Sequence, residues 1–193
     1  MGVEFELKYK ATAEGQQAIR EAFPGDWQTI SMETTYYDTC EGSLSGLHYT
    51  LRRRLENGVS VCTIKTPIAG AGRGEWEVVC DTIEAAIEKL CKLGGPENLL
   101  TLTQTGVVAV CGARFTRQAL TVAIPDGKVE LALDKGILFA GDREMPICEV
   151  EVELKDGDTA AAVQFAALLA EKYALQPEPR SKFKRAKSLI GGK

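Results

Sequence analysis

The sequence predicts an α+β protein: a closed or nearly closed, eight-stranded antiparallel β-barrel with helices packed outside. Three observations predict it. Eight stretches, at residues 2–10, 28–38, 46–56, 59–66, 73–80, 112–124, 128–135 and 145–154, alternate apolar with polar or charged residues, the period of two that marks a strand. Turn-forming residues separate several of them. Three helical patterns interrupt the series, at about residues 13–23, 82–93 and 158–172, and with roughly eight mainly antiparallel strands they suggest a barrel or strongly curled sheet with helices outside.

In chain order, Glu4-Phe5-Glu6-Leu7-Lys8 sets the pattern. In a strand, Glu4, Glu6 and Lys8 line one face while Val3, Phe5, Leu7 and Tyr9 line the other. Asn57-Gly58 sits between two strands as a hairpin signal, since both residue types accept positive φ. Pro125-Asp126-Gly127 is a second turn. The middle helix has Asp81 as its expected N-cap, Glu84 three residues on, and a stop at Gly94-Gly95. Thr159 to Tyr173 is rich in alanine and leucine, with a broad apolar face for packing on a sheet. Residues 67–73 read as a flexible loop, and 94–106 shows no clear pattern. With no internal repeat, low-complexity tract or domain boundary, residues 1–193 form one expected domain.

Composition narrows the function. Apolar residues at 45% and charged residues at 26% suit a folded core and not a disordered chain. The net charge of −4 argues against a duplex nucleic-acid binder, which needs a basic surface. Six cysteines without a C-x-x-C pair, and a single histidine, supply no zinc site of usual spacing. Charges begin at Glu4 and no apolar run approaches a membrane span, so a cytoplasmic protein with reduced cysteines is expected.

The informative residues are charges in phase. One face per strand collects the acids Glu4, Glu6, Glu75, Glu77, Glu130, Asp134, Glu149, Glu151 and Glu153. The same faces carry Lys8, Arg52, Arg54, Lys65, Arg73 and Arg117. An antiparallel sheet with one wet face also alternates this way, and for a single segment that explanation suffices. Together the segments differ from an ordinary wet face, because pure acid runs and arginine pairs recur in register. Unpaired, these ions are too costly for a dry interior, but a water-filled channel holds them. Clustered carboxylates repel unless a hard divalent cation joins them. Arginines at i, i+2 offer planar forks to phosphate oxygens. The pattern therefore points to a polyphosphate held between a cation and a basic wall.

These residues resemble the CYTH superfamily, the triphosphate tunnel metalloenzymes. The family's E-x-E-x-K stands as Glu4, Glu6 and Lys8, its R-x-R as Arg52-Arg53-Arg54, and its lysine strand as Thr63-Ile64-Lys65. Arg73-x-Glu75-x-Glu77 and Phe115-Thr116-Arg117 match later strands, with Arg114 an alternative if the register differs. Glu130 with Asp134, then Glu149, Glu151 and Glu153, match the two acidic strands, and Ser181-Lys182 the C-terminal pair that closes the tunnel. The order is kept over nearly the whole chain. The stretch from Val122 into Thr159 is most similar to bacterial inorganic triphosphatases, which often carry a further C-terminal helical domain; this chain is then a stand-alone form or one lacking that domain. Arg53 departs from the pattern and must lie on the outer face. Arg114 and Arg117 differ by an odd number, so one of them at most faces inward.

The resemblance implies hydrolysis of inorganic triphosphate to pyrophosphate and phosphate, with Mg²⁺ or Mn²⁺ as cofactor. It implies Glu4, Glu6, Lys8, Arg52, Arg54 and Lys65 as catalytic residues. Arg73, Arg117 and Lys182 would join the basic residues in binding phosphate, although Arg73 fits a structural ion pair equally well. Glu4, Glu6, Glu149, Glu151 and Glu153 would hold metal, supported by Glu75, Glu77, Glu130 and Asp134. The partner is a small-molecule triphosphate, without duplex nucleic acid or membrane, on a monomer or homodimer. Other activities of the same fold are thiamine triphosphate or nucleoside triphosphate hydrolysis and class IV adenylyl cyclisation. A non-catalytic polyphosphate-binding module is the rival of another class. His48 is expected in a strand without a catalytic role, Trp76 and Phe5 under the outer helices, and the basic tail beyond Lys182 on a solvated helix face.

Overall fold

A computed structural model describes residues 2–68 and 72–191. Residues 69–71, the middle of the expected loop, lie outside that range. The strands are β1 (Gly2–Glu4), β2 (Glu6–Lys10), β3 (Gln28–Asp38), β4 (Thr50–Glu56), β5 (Val59–Pro67), β6 (Arg73–Val79), β7 (Val108–Ile124), β8 (Gly127–Ala140), β9 (Arg143–Gly157) and β10 (Gln176–Pro177). The helices are α1 (Ala13–Ala22), α2 (Ser43–Gly46), α3 (Ile83–Lys92), α4 (Leu99–Leu102), α5 (Thr159–Lys172) and α6 (Lys182–Ser188).

All pairings are antiparallel, in the order β1-β6-β5-β4-β3-β7-β8-β9-β2-β10. The eight expected strands become ten because the first splits at Phe5 and the two-residue β10 is added. The split changes the architecture. Residues 2–4 pair with β6, while residues 6–10 pair with β9. One covalent run therefore reaches both flanks of the sheet, and among the described residues hydrogen bonds do not close a barrel.

Asn57 and Gly58 both take positive φ, 49° and 87°, as the β4–β5 hairpin requires. Asp126 does the same, at 58°, between β7 and β8. The β7–β8–β9 meander is longer than alternation suggested, because Gly136-Ile137-Leu138-Phe139-Ala140 is a continuous apolar run buried or half-buried on both faces. Strand β4 starts at Thr50 because α2 occupies the preceding segment. His48 consequently sits in an exposed turn at φ 59°, not in a strand.

Thr12, Thr82 and Asp158 cap α1, α3 and α5 by accepting a backbone N–H from Gly15, Ala85 and Ala160. Thr82, not Asp81, caps α3. Three apolar clusters pack outside and beneath the sheet. Helices α1 and α5 cover Val129, Leu131, Val150 and Val152 with Ile19, Ala166 and Leu169. Helix α3 covers Cys62, Ile64 and Trp76 with Ile83, Ile87 and Leu90, so Trp76 lies under a helix as expected. Helix α6 packs on β7 and β8 and sets Phe183 against Tyr36, ring centroids 5.1 Å apart. Among the described residues all six cysteines are free, and no helix is long and apolar enough to cross a membrane.

Candidate active site

The inward faces of the strands enclose a cavity of about 630 Å³. The alternation delivers its wall: Glu4, Glu6 and Lys8 from β1–β2, Arg52 and Arg54 from β4, Lys65 from β5. Arg73, Glu75 and Glu77 come from β6, Arg117 from β7, and Glu130, Glu151 and Glu153 from β8 and β9. Lys182 enters from α6. Arg114 points away and pairs weakly with Glu144 at 3.5 Å with both side chains more than half exposed, so Arg117 takes the inward place. Arg53 lies on the other face and donates to Ser60 Oγ at 2.9 Å. Phe5, at the break between β1 and β2, lines the cavity as well as packing toward the first apolar cluster.

Two inward residues sit below the wall. Asp134 and Glu149 are 0% and 1% exposed and do not line the cavity. They join Glu151 in a cluster whose carboxylate oxygens lie within 4.8 Å of one another. Protein cations stand against all three carboxylates, although neither Glu149 oxygen accepts a hydrogen bond. Lys182 Nζ lies 2.7 Å from Asp134, 2.5 Å from Glu151 and 3.0 Å from Glu149. Arg117 donates to both oxygens of Asp134 at 2.8 Å and also to Glu151. Arg185 contacts Glu149 from below. Burial disfavours the charged form of Glu151, but Lys182, Arg117 and Lys8 outweigh it and hold its pKa well below the usual range. Burial likewise opposes charging of Lys182, and the three carboxylates raise its pKa nonetheless.

The wall of β4 is different. Arg54 donates to Thr34 Oγ1 at 3.0 Å and reaches Glu56 at 3.6 Å. Arg52 approaches Glu75 at 3.6 Å, and its buried Nε finds no partner. Burial, with Arg52 and Arg117 nearby, lowers the Arg54 pKa to about 10. Arg73 donates to the carbonyls of His48 and Lys65 and to Thr50 Oγ1 at 3.1–3.3 Å. Burial pulls its pKa down, despite Glu4. Arg52 and Arg54 thus meet their carboxylates only loosely, at 3.6 Å, and Arg52 keeps an unmet donor.

Abutting carboxylates stand on β2, β8 and β9. Glu6 pairs with Glu153, and Glu153 with Glu130, as direct cross-strand neighbours. Like charges in that relation repel. Burial and then Glu151 raise the pKa of Glu6. Burial also raises Glu153, against the pull of Lys155 at 2.9 Å. Glu4 differs: burial raises it, but Lys65, 2.5 Å away, takes it below the ordinary value. Lys65 also reaches Glu75 at 3.3 Å, while Glu77 accepts from Thr63 Oγ1 at 3.4 Å. An all-oxygen set with surplus negative charge fits a hard divalent cation.

Sequence reasoning missed Lys155 and Arg185. Lys155 continues the phase of Glu149, Glu151 and Glu153, so the signal was present. Arg185 was expected in solvent. Instead α6 buries Lys182, Phe183, Arg185 and Ala186, and a helix this short offers no 3.6-residue signal to show it.

Comparison with known proteins agrees with this geometry. The CYTH domain model matches residues 2–186. The inorganic triphosphatase of Haemophilus influenzae is 28% identical over 168 residues, covering 86% of this chain and 47% of the relative; the chain thus spans about half that protein's length. Among solved structures, HpAC1 from Hippeastrum, an adenylyl cyclase candidate with a dominant triphosphatase activity, aligns with a TM-score of 0.65 at 16% identity, over 97% of this chain and 96% of that one. The PH1819 protein of Pyrococcus horikoshii aligns with a TM-score of 0.67 at 22% identity, over 96% and 99%. Both share the fold. The charged cavity, the ordered strands and the family match lead to one conclusion: the chain belongs to the CYTH family.

Proposed function

We propose that the protein hydrolyses inorganic triphosphate to pyrophosphate and phosphate, with Mg²⁺ or Mn²⁺ as cofactor. The observation that carries this reading is the split of charge across one cavity, loosely paired arginines on β4 and abutting carboxylates on β2, β8 and β9. A chain of phosphates bridges those two surfaces, and a neutral or singly charged ligand does not. The named relative, an inorganic triphosphatase, supports the same substrate.

In this account Arg52 and Arg54 grip the phosphates and, with Lys8, Lys65 and Arg73, offset charge that grows as the bridging P–O bond breaks. Glu4, Glu6, Glu151 and Glu153 would hold the metal, with Glu130 beside them. Bound there, a divalent cation supplies Lewis-acid neutralisation of phosphate oxygens and lowers the pKa of water. Water attacks the terminal phosphorus, pyrophosphate leaves, and the released proton goes to the phosphate products or solvent. Arg117 and Lys182 are positioning residues, since carboxylates already engage their donors. Asp134 and Glu149 hold those two cations, and Glu75 and Glu77 orient the β5–β6 wall.

The lining favours the inorganic substrate over thiamine triphosphate or ATP. Its aromatic members are Phe5, Tyr36 and Phe183, and Tyr36, 3% exposed, is packed against Phe183. Trp27, Tyr37 and Trp76 do not contribute to it. Steady-state comparison of triphosphate, ATP and thiamine triphosphate tests the choice, with the largest kcat/KM expected for triphosphate. A non-catalytic binding module would hold triphosphate in Mg²⁺ without turnover. Folded Glu4→Ala and Arg52→Ala variants should each lose phosphate release, and full activity in both would end the proposal.

A further inference from the structure

A second cavity, of about 610 Å³, lies on the other side of Glu149. Lys182 lines the first cavity and Arg185 the second, and both contact Glu149. The two spaces are therefore separated by a partition of three side chains. Arg185 is only 4% exposed; its Nη2 is ion-paired with Glu149, whose oxygens accept no hydrogen bond, and its Nε is left without any partner. A buried guanidinium with unmet donors is costly unless something else satisfies it.

The surroundings indicate what that is. Lys10, Lys135 and Arg180 also line this cavity, so four cations face two carboxylates, Glu149 and Glu178, an excess of 4 − 2 = +2. Glu178 is shared, accepting from Arg180 at 3.0 Å and lying 3.5 Å from Lys10. Lys135 is exposed and forms no ion pair among the described residues. Ile137, Met145 and Ile147 supply an apolar floor, which limits water and strengthens charge pairing above it. A doubly charged tetrahedral oxyanion matches the charge excess, and its oxygens accept from a planar guanidinium.

We propose that this rear cavity is a second oxyanion site, for orthophosphate or pyrophosphate, with Arg185 as the anchor and Lys10 and Lys135 at the rim. It stands independently of the triphosphatase reading, because its residues are not those of the first cavity.

The test is calorimetric titration of the full chain with pyrophosphate and, separately, orthophosphate, without divalent metal. The background is Arg52→Ala/Arg54→Ala, which removes the basic pair of the first cavity. One residual site is expected, and the anion that binds it more tightly is the natural occupant. Adding Lys10→Ala/Lys135→Ala, both exposed in the folded chain, should weaken that site about tenfold or more. Arg185→Met should abolish it; if that variant does not fold, the lysine pair decides alone. Alkylation of Cys148, which lines the rear cavity, should slow when the anion is present, read peptide by peptide. Loss of all binding in the Arg52/Arg54 background overturns the proposal. So does residual binding that ignores the rear substitutions, or a Cys148 rate that the anion leaves unchanged.

Discussion

Two sets of cations face the same cavity, and their partners distinguish them. Lys182 and Arg117 are engaged by Asp134, Glu149 and Glu151 at hydrogen-bonding distance. Arg52 and Arg54 reach their nearest carboxylates only at 3.6 Å, and Arg52 Nε has no partner. Equal formal charge thus serves two ends. A buried cation with its carboxylates in place closes the base of the sheet and resists disturbance, because stripping either member leaves an uncompensated ion. A buried cation whose carboxylates stand farther off keeps donors for an anion, at some cost to stability.

The largest effects are expected on the β4 wall. Arg52→Ala/Arg54→Ala should lower kcat/KM for triphosphate by about a thousandfold or more, roughly 4 kcal/mol of transition-state stabilisation. Its melting temperature should stay level or rise, since two poorly paired ions are gone; differential scanning calorimetry beside a phosphate-release assay reads both. Lys182→Met should do the reverse in kind, costing about 3 kcal/mol of stability by taking from three buried carboxylates the cation they share, or roughly 10 °C in Tm for a chain of this size. A Tm within about 2 °C of the parent would contradict the assignment of Lys182 to scaffold.

Smaller effects sharpen the contrast. Mn²⁺ or Mg²⁺ should raise Tm by a few degrees, about 1–2 kcal/mol at saturation, and Glu6→Gln with Glu153→Gln should remove most of that increment. A shift that persists in the double variant would place the ion elsewhere. Least of all, Glu178 should shape the acid limb of stability. The side-chain hydrogen bond from Arg180, helped by Arg185, holds its pKa at about 2, below the reference 4.5. A depressed carboxyl stabilises fully above its unfolded pKa and loses that contribution as pH falls from 4.5 toward 2. Glu178→Gln should therefore flatten the fall in Tm across that window and leave the profile above pH 5 otherwise alike; an unchanged acid limb would show Glu178 inert.

The sequence made much of this legible because a period of two reports the face of a strand without reporting its partners. Glu4, Glu6, Lys8, Arg52, Arg54 and Lys65 all reached one cavity for that reason. Depth was not legible. Glu149 shares the phase of Glu151 and Glu153 but sits beneath the wall, since Lys182 and Arg185 draw it down. The break at Phe5, which lets one run pair with both β6 and β9, leaves no residue-level sign, as Glu4 and Glu6 keep the alternation across it. Arg185 was lost to the same gap: a buried cation on a seven-residue helix resembles a solvated one until its neighbours are known.

The central claim is that the two walls share one ligand. A crystal structure of the protein with triphosphate and Mn²⁺, the metal located by its anomalous scattering, tests it most directly. Phosphate density against Arg52 and Arg54, with manganese beside Glu6, Glu151 and Glu153, is the predicted result. Triphosphate bound away from β4, or manganese at sites remote from those glutamates, would contradict it.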